Sequence, residues 1–367
     1  MATSTVATES AAAGSSGHRP RVWGWLYDRA GLSALAYPVP AYANRLPYTL
    51  GGISFVGFLV LALTGFWLAQ FYDPMPEHVR ESVAFIQNDA ALGAFVRGIH
   101  FWVANIVVVT VFLHMVRVFA TASFKRPREL NWIGGVALLG VTIAFAFTGT
   151  VLKWDQEAWE ALQHNLEIAG ILGGLGTFFS ESFTQAVPVL ARLYAAHVSI
   201  LPLIATLLFV FHFFQVKHHG ISPLPDAADR GEAPDGKVPA PQLTGRYSAH
   251  LKWMLGGGLV LAALAAVLGV VFPPALGEVP DPAMEVTKPP FFFYWLYAFE
   301  DWFGVRAILY AGLAFGAALL LVPFVDRSPW RSLRRRRVFA VIAALVLVGL
   351  VVLSLIVLFS PVTEHLE

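Results

Sequence analysis

Four histidines carry the chemistry that this sequence can do. His100 and His114 lie 14 residues apart in one apolar run, and His197 and His212 lie 15 apart in another. At ~1.5 Å and ~100° per residue, the two members of each pair stand ~21 Å apart along a helix and only ~40–60° apart around it. If both runs cross a membrane in the same direction, His100 and His197 share one depth, and His114 and His212 share another. Two helices then offer two pairs of facing imidazoles. Bis-histidine ligation of a haem iron needs that arrangement, one axial ligand from each side of the porphyrin. A lone histidine in a membrane helix is commonly an interhelical hydrogen-bonding group, but four ionisable side chains within a bilayer are costly and mark function. Zinc is the rival ligand, and two imidazoles with no intramembrane carboxylate nearby coordinate it poorly.

The neighbours of these histidines fit a porphyrin. Arg97 lies three residues before His100 and Arg117 three after His114, each one turn closer to its own interface. A guanidinium fork suits a haem propionate; the alternative is that both side chains snorkel to water. Gly51 and Gly65 are 14 apart, and so are Gly135 and Gly149. Glycine lets a flat group approach a backbone closely, and ordinary small-residue helix packing is the competing explanation.

The elements that must position these residues are transmembrane helices, giving an all-α polytopic membrane fold. The chain has 367 residues, 57% hydrophobic and 13% charged, too few charges for the surface of a soluble domain of this length. Seven apolar stretches are long enough to span, at roughly 48–71, 95–120, 132–152, 194–216, 251–272, 304–325 and 338–360. Lys and Arg collect before the first span and in the loops after the second, fourth and sixth. The positive-inside rule therefore places the N-terminus in the cytoplasm and the C-terminus outside, in a bacterial plasma membrane. The chain contains no cysteine, which excludes disulfides, thiolate clusters and thioether-linked haem. No basic domain suggests nucleic acid. Residues 1–20 are small and polar and are expected to be disordered. The segment Arg19–Pro47, with Trp23, Trp25 and Tyr27, reads as a surface amphipathic helix. The expected division is a four-helix di-haem domain over 21–220, a Pro/Asp/Gly-rich cytoplasmic linker over 221–250, and a three-helix domain over 251–367. The run Arg334–Arg337 is expected to set topology and touch anionic lipid.

The first half resembles cytochrome b of the quinol:cytochrome c/plastocyanin oxidoreductases. The resemblance is carried by Tyr48–Gly52 (YTLGG), Arg97–His100, His114–Arg117, Phe124–Trp132 (FKRPRELNW), Thr148–Gln156 (TGTVLKWDQ) and Lys217–Pro223 (KHHGISP), and extends over residues 22–225. The 15-residue histidine interval is similar to the plastid and cyanobacterial branch, and residues 251–360 look like that branch's three-helix subunit IV, here fused. The resemblance implies two non-covalent b haems with His100, His197, His114 and His212 as axial ligands. It also implies quinone as substrate, a Rieske iron–sulfur protein and a c-type cytochrome as partners, and a homodimer within a complex.

Three departures bear on the mechanism. Thr49 stands where the plastid-type protein has the cysteine that binds an additional haem, so no covalent haem is expected. Pro289–Phe292 (PPFF) stands where the family's outer quinol-oxidation site has Pro-Glu-Trp-Tyr, so the glutamate that would take a proton is replaced by Pro290. Lys153 replaces a proline beside the same site. Quinol oxidation needs a base within hydrogen-bond reach; Glu300, Asp301 and Glu157 are the candidate replacements. Two electron-transfer readings stand: a variant bc-type complex, or a quinone-linked di-haem anchor for another external redox subunit that lacks a working outer quinol site. A haem-free transporter is the reading from another class.

Overall fold

The computed structural model describes residues 21–233 and 235–362; the expectation for residues 1–20 lies outside them. Thirteen α-helices follow in chain order: α1 (Arg21–Arg29), α2 (Leu46–Leu68), α3 (Val79–Asn88), α4 (Gly93–Ala120), α5 (Glu129–Val151), α6 (Gln156–Leu172), α7 (Val189–Ala195), α8 (Leu201–His219), α9 (Pro225–Asp229), α10 (Tyr247–Val271), α11 (Tyr294–Phe303), α12 (Arg306–Val325) and α13 (Arg337–Phe359). A π-helical turn over Ala196–Ile200 joins α7 to α8 as one rod. Among the described residues seven helices are long and apolar enough to cross a membrane: α2, α4, α5, α7–α8 together, α10, α12 and α13. They match the seven expected spans, and the protein is a multi-pass membrane protein. The expected surface helix is shorter than its sequence suggested. Helix α1 ends at Arg29, and Pro38–Val39 then forms a two-residue strand, β1, antiparallel to β2 (Gly245–Arg246). Gly31, at a φ of 63°, takes the chain out of the helix after Arg29, and Pro38 and Pro40, which lack the N–H a helix needs, keep it from resuming.

The helices pair by composition. Small residues let α4 lie against both α2 and α10, around a core of Ile53, Val103, Val107, Leu261 and Ala265. Gly98 and Gly269 face each other so closely that a Cβ on Gly98 would stand 2.9 Å from the Gly269 Cα. The fifth membrane helix thus packs on the first two. Helix α5 packs on α8, and α12 packs on α5.

On one side the loops after α4, α8 and α12 meet. Asp326, buried at 2% exposure, binds Lys125 Nζ at 2.8 Å and Arg336 Nε at 2.6 Å. Arg331 donates to the carbonyls of Ala122 and Arg126, and its backbone N–H binds Asp229. Arg336, expected among exposed topology-setting charges, is instead buried against Asp326 and Phe119, whereas Arg334, Arg335 and Arg337 are exposed. On the opposite side, α6 starts at Asp155, whose Oδ1 accepts from Ala158 N at 2.9 Å, an N-cap. It ends at Gly173 in a positive-φ conformation. Gln156 ties α6 to the loop after α10: it accepts from Asp281 N at 2.6 Å and donates to Met284 O at 2.8 Å. Helix α11 follows Pro289–Phe292 in that same loop and packs on α12 and α13.

Candidate haem and quinone sites

Helices α2 and α4 form one wall and α5 and α8 another. Each of the four histidines reaches back to a glycine on the other helix of its own wall. A Cβ on Gly51 would stand 2.8 Å from His114 Cε1, and one on Gly65 would stand 3.3 Å from His100 Cε1. A Cβ on Gly149 would be 3.2 Å from His197 Cε1, and one on Gly135 would be 3.5 Å from His212 Cε1. The 14-residue glycine interval therefore answers the histidine interval directly: each glycine makes room for the imidazole of the neighbouring helix.

The 15-residue spacing of His197 and His212 has a structural cause. Leu201 N–H bonds back five residues to Ala196 O, closing the π turn over Ala196–Ile200. Such a turn holds one residue more than the α-helix around it. It absorbs the fifteenth residue and gives His197 and His212 the relation that His100 and His114 have over 14. The sequence calculation, which assumed an unbroken α-helix, could not see this.

Two threonines, missed at the sequence level, orient His100 and His197. His100 Nδ1 lies 2.9 Å from Thr64 Oγ1, and His197 Nδ1 lies 2.7 Å from Thr148 Oγ1. Each threonine hydroxyl donates to a carbonyl one turn back, Val60 O at 2.8 Å and Ala144 O at 2.7 Å. Its oxygen is therefore left to accept from the imidazole N–H. That assignment puts the proton on Nδ1 and the free lone pair on Nε2, the tautomer a metal requires. The signal was present: both threonines directly precede a site glycine, as Thr64-Gly65 and Thr148-Gly149. His114 and His212 differ, since the Nδ1 of each is buried with no hydrogen-bond partner among the described residues.

The arginines also differ. Arg117 lies over the Tyr48 ring at 3.8 Å, and its buried Nε and Nη2 have no hydrogen-bond partner among the described residues. Arg97 is engaged: it donates to Gln87 Oε1 and Pro274 O, each at 2.7 Å, and to Ala275 O at 2.8 Å, all neutral oxygens. Buried imidazoles seated on glycines and an arginine with orphaned donors fit a bis-histidine porphyrin with ionised propionates. Among the described residues no group of three or more His, Cys, Asp or Glu is placed to hold a metal ion directly.

The candidate proton acceptors lie where α6 meets α11. Lys153, at the end of α5, pairs with Glu157 Oε2 at 2.5 Å. Burial pushes the Glu157 carboxyl up, and Lys153 opposes that. Glu300 is 1% exposed, and its Oε1 lies 2.8 Å from His164 Nε2. This is an ion-pair distance, though the ring N–H points off the line a hydrogen bond needs. His164 Nδ1 donates to Glu160 O at 2.7 Å. Burial lowers the His164 affinity for its second proton, but the Glu300 carboxylate, the Glu160 carbonyl and Glu285 outweigh it and push the pKa up to about 9. Asp301 follows Glu300 on α11; burial raises the Tyr297 phenol, and Glu285, Glu300 and Asp301 raise it further. His164 was not singled out in the sequence. Thr49, in place of a haem-binding cysteine, is 2% exposed and donates to Leu46 O.

The family model described as cytochrome b/b6/petB matches residues 35–220. The chain is similar to cytochrome b6 of Heliobacterium mobile, 39% identical over 208 residues, which cover 54% of this chain and 98% of that one. It is similar to cytochrome b6 of Chlamydomonas reinhardtii at 35% over 211 residues, covering 55% and 98%. Among solved structures it resembles a chain of a hyperthermophilic respiratory Complex III, with a TM-score of 0.73, 26% identity and 92% of each chain covered.

Proposed function

Because the chain belongs to the cytochrome b/b6 family, we propose that it is the cytochrome b subunit of a quinol oxidoreductase complex and binds two b haems. The observation that carries the proposal is the seating of His100, His114, His197 and His212 on four glycines at two depths. His100 and His197 would hold the outer haem, and His114 and His212 the inner one. Bound haem would supply the reversible one-electron chemistry that carries electrons between the two faces. Thr64 and Thr148 fix the outer imidazole tautomers, and Arg117 would receive an inner propionate. Arg97 is the outer counterpart, since a carboxylate is a stronger acceptor than the neutral oxygens it now binds.

In this reading quinol is oxidised near the outer face, between the start of α6 and Pro289–Phe292. One electron passes to an external partner, a Rieske protein that serves a c-type cytochrome, and the other crosses to a quinone near the inner face. Residues 21–220 form the di-haem domain, 221–250 a cytoplasmic linker, and 251–367 the fused subunit IV-like part. The N-terminus lies in the cytoplasm of a bacterial plasma membrane, and the complex is a dimer. The likeness to the Complex III neighbour covers 92% of both chains, so it extends beyond the first half into the three-helix part. A reduced-minus-oxidised spectrum with haem quantitation tests the core: two b haems per chain are expected, and the absence of a b-type α band would leave a haem-free membrane protein.

A second reading rests on Pro289–Pro290 and Lys153, which leave the outer site without the family glutamate. The chain would then wire a different external oxidoreductase to one inner quinone site. Mass spectrometry of the complex isolated in mild detergent separates the two. A Rieske protein supports the first reading, and an unrelated oxidoreductase without one supports the second.

A further inference from the structure

The acidic side chains around α6 and α11 are not equivalent. Glu160 is saturated: Oε1 accepts from Gln156 Nε2 at 2.9 Å and Val286 N at 2.8 Å, and Oε2 accepts from Thr287 N and the Thr287 hydroxyl. It is a structural staple between α6 and the loop before α11. Glu157 is held by Lys153. Glu300 is different. It is 99% buried by its 1% exposure, one oxygen faces the His164 ring at 2.8 Å, and Oε2 has no hydrogen-bond partner among the described residues. Here the ring is oriented from its far side by the Glu160 carbonyl. The groups facing His164 are Glu160 from its own helix, Glu300 from α11 and Glu285 from the loop between α10 and α11, with Glu285 Oε1 at 3.9 Å.

We propose that Glu300 and His164 form the proton-accepting pair of the outer quinol site. Glu300 Oε2 takes the proton, and His164 is the positioning residue that holds Glu300 in place. The proposal rests on the quinol oxidoreductase reading above. Oxidation of one quinol to quinone breaks two O–H bonds and releases two electrons, one to the external redox partner and one to the haem held by His100 and His197. The proton of one hydroxyl goes to Glu300 Oε2 and from there to the outer aqueous phase past Glu285. The proton of the other goes to water or to the external partner. Pro290 cannot accept a proton. The pair supplies a base to the same site from α11, about ten residues further on, braced by α6.

The test uses the intact complex in native membranes, with a short-chain quinol as donor and the reduction of the outer haem as readout. Glu300→Gln is expected to slow that step ~10²–10⁴-fold, the range for loss of a general base, with the dithionite-reduced b spectrum unchanged. His164→Gln is expected to slow it as well, and His164→Lys to restore it. The alkaline limit of the rate, near pH 9 in the wild type, should move upward in His164→Lys. Infrared redox-difference spectra of the wild-type complex should show a carboxyl band on quinol oxidation that shifts in Glu300→Asp, a readout that does not need the glutamine variant to fold. Wild-type rates and pH profiles in both glutamine variants, or no such band, overturn the pair while leaving the functional reading intact. A wild-type complex with normal haems that cannot be reduced by quinol at the outer face overturns both.

Discussion

Thr148 Oγ1 lies 2.7 Å from Nδ1 of His197, and its own hydroxyl proton is committed to Ala144 O. The threonine therefore accepts, and the imidazole is held in the form that offers Nε2 to a metal. Removing such an outer partner commonly costs ~10–100-fold in affinity. Thr148→Val, which keeps the shape and removes the acceptor, should weaken retention of one haem by that order and leave the other bound. Haem content after graded detergent washing, read as two b-type components in a redox titration, checks this.

The four glycines should not tolerate alanine equally. At Gly51 the added Cβ would stand 2.8 Å from the His114 ring, whereas at Gly135 it would stand 3.5 Å from the His212 ring, an ordinary contact. Gly51→Ala should displace His114 and lose the inner haem. Gly135→Ala should keep both haems, and Gly65→Ala and Gly149→Ala, at 3.3 and 3.2 Å, should fall between. The measurement is haem stoichiometry of each purified variant.

The π turn makes a length prediction. Deleting Ser199 removes the extra residue where the turn accommodates it, and an α-helical turn should close with His197 and His212 still facing one way. Both haems should survive. Inserting one alanine after Leu207 instead rotates His212 by ~100° against His197, and one haem should be lost. Equal haem contents in the two variants would show that the turn is not what sets the facing.

The His164 contact should leave a signature in stability. Its folded pKa, about 9, lies above the usual value of 6.5. The stabilisation from this contact is therefore complete below about pH 6.5 and is lost as pH rises through about 9. Thermal midpoints of the detergent-solubilised protein should fall across that interval in the wild type and fall less in His164→Gln.

Asp326 neutralises two buried cations, Lys125 and Arg336. Removing one partner of a buried ion pair typically costs ~3–5 kcal/mol, because the remaining charge is stranded. Asp326→Asn should destabilise the junction between the loops after α4 and α12 by that order, seen as a lower melting temperature. Replacing all three residues by apolar ones of similar volume should recover most of the loss.

What could be read from the sequence was what each helix records along its own length. The intervals His100–His114, Gly51–Gly65 and Gly135–Gly149 are periodic on single helices, so they were visible without a fold, and so were the seven spans. What could not be read depends on contacts between distant segments or on a broken period. Glu300 was visible as one acidic residue on an external loop, but only the approach of α11 to α6 gives it His164. Arg336 looked like one of four surface arginines until Asp326 was seen beneath it. The π turn hides because it changes the angle per residue on which the facing calculation relies. Thr64 and Thr148 were within reach, since each stands beside a glycine that had already been singled out.

The two histidine levels have an electrical consequence. Fourteen α-helical residues separate them by ~21 Å, in a hydrocarbon core ~30 Å thick. An electron moving from the level of His100 and His197 to that of His114 and His212 therefore crosses about two-thirds of the insulating layer. At ~2.3 kcal/mol per unit charge per 100 mV, each transfer exchanges roughly 1.5 kcal/mol with a membrane polarised by 100 mV. Under the proposed function, the spacing would make the protein one plate-to-plate path of a charged capacitor, and the voltage across the membrane would become a term in its reaction equilibrium.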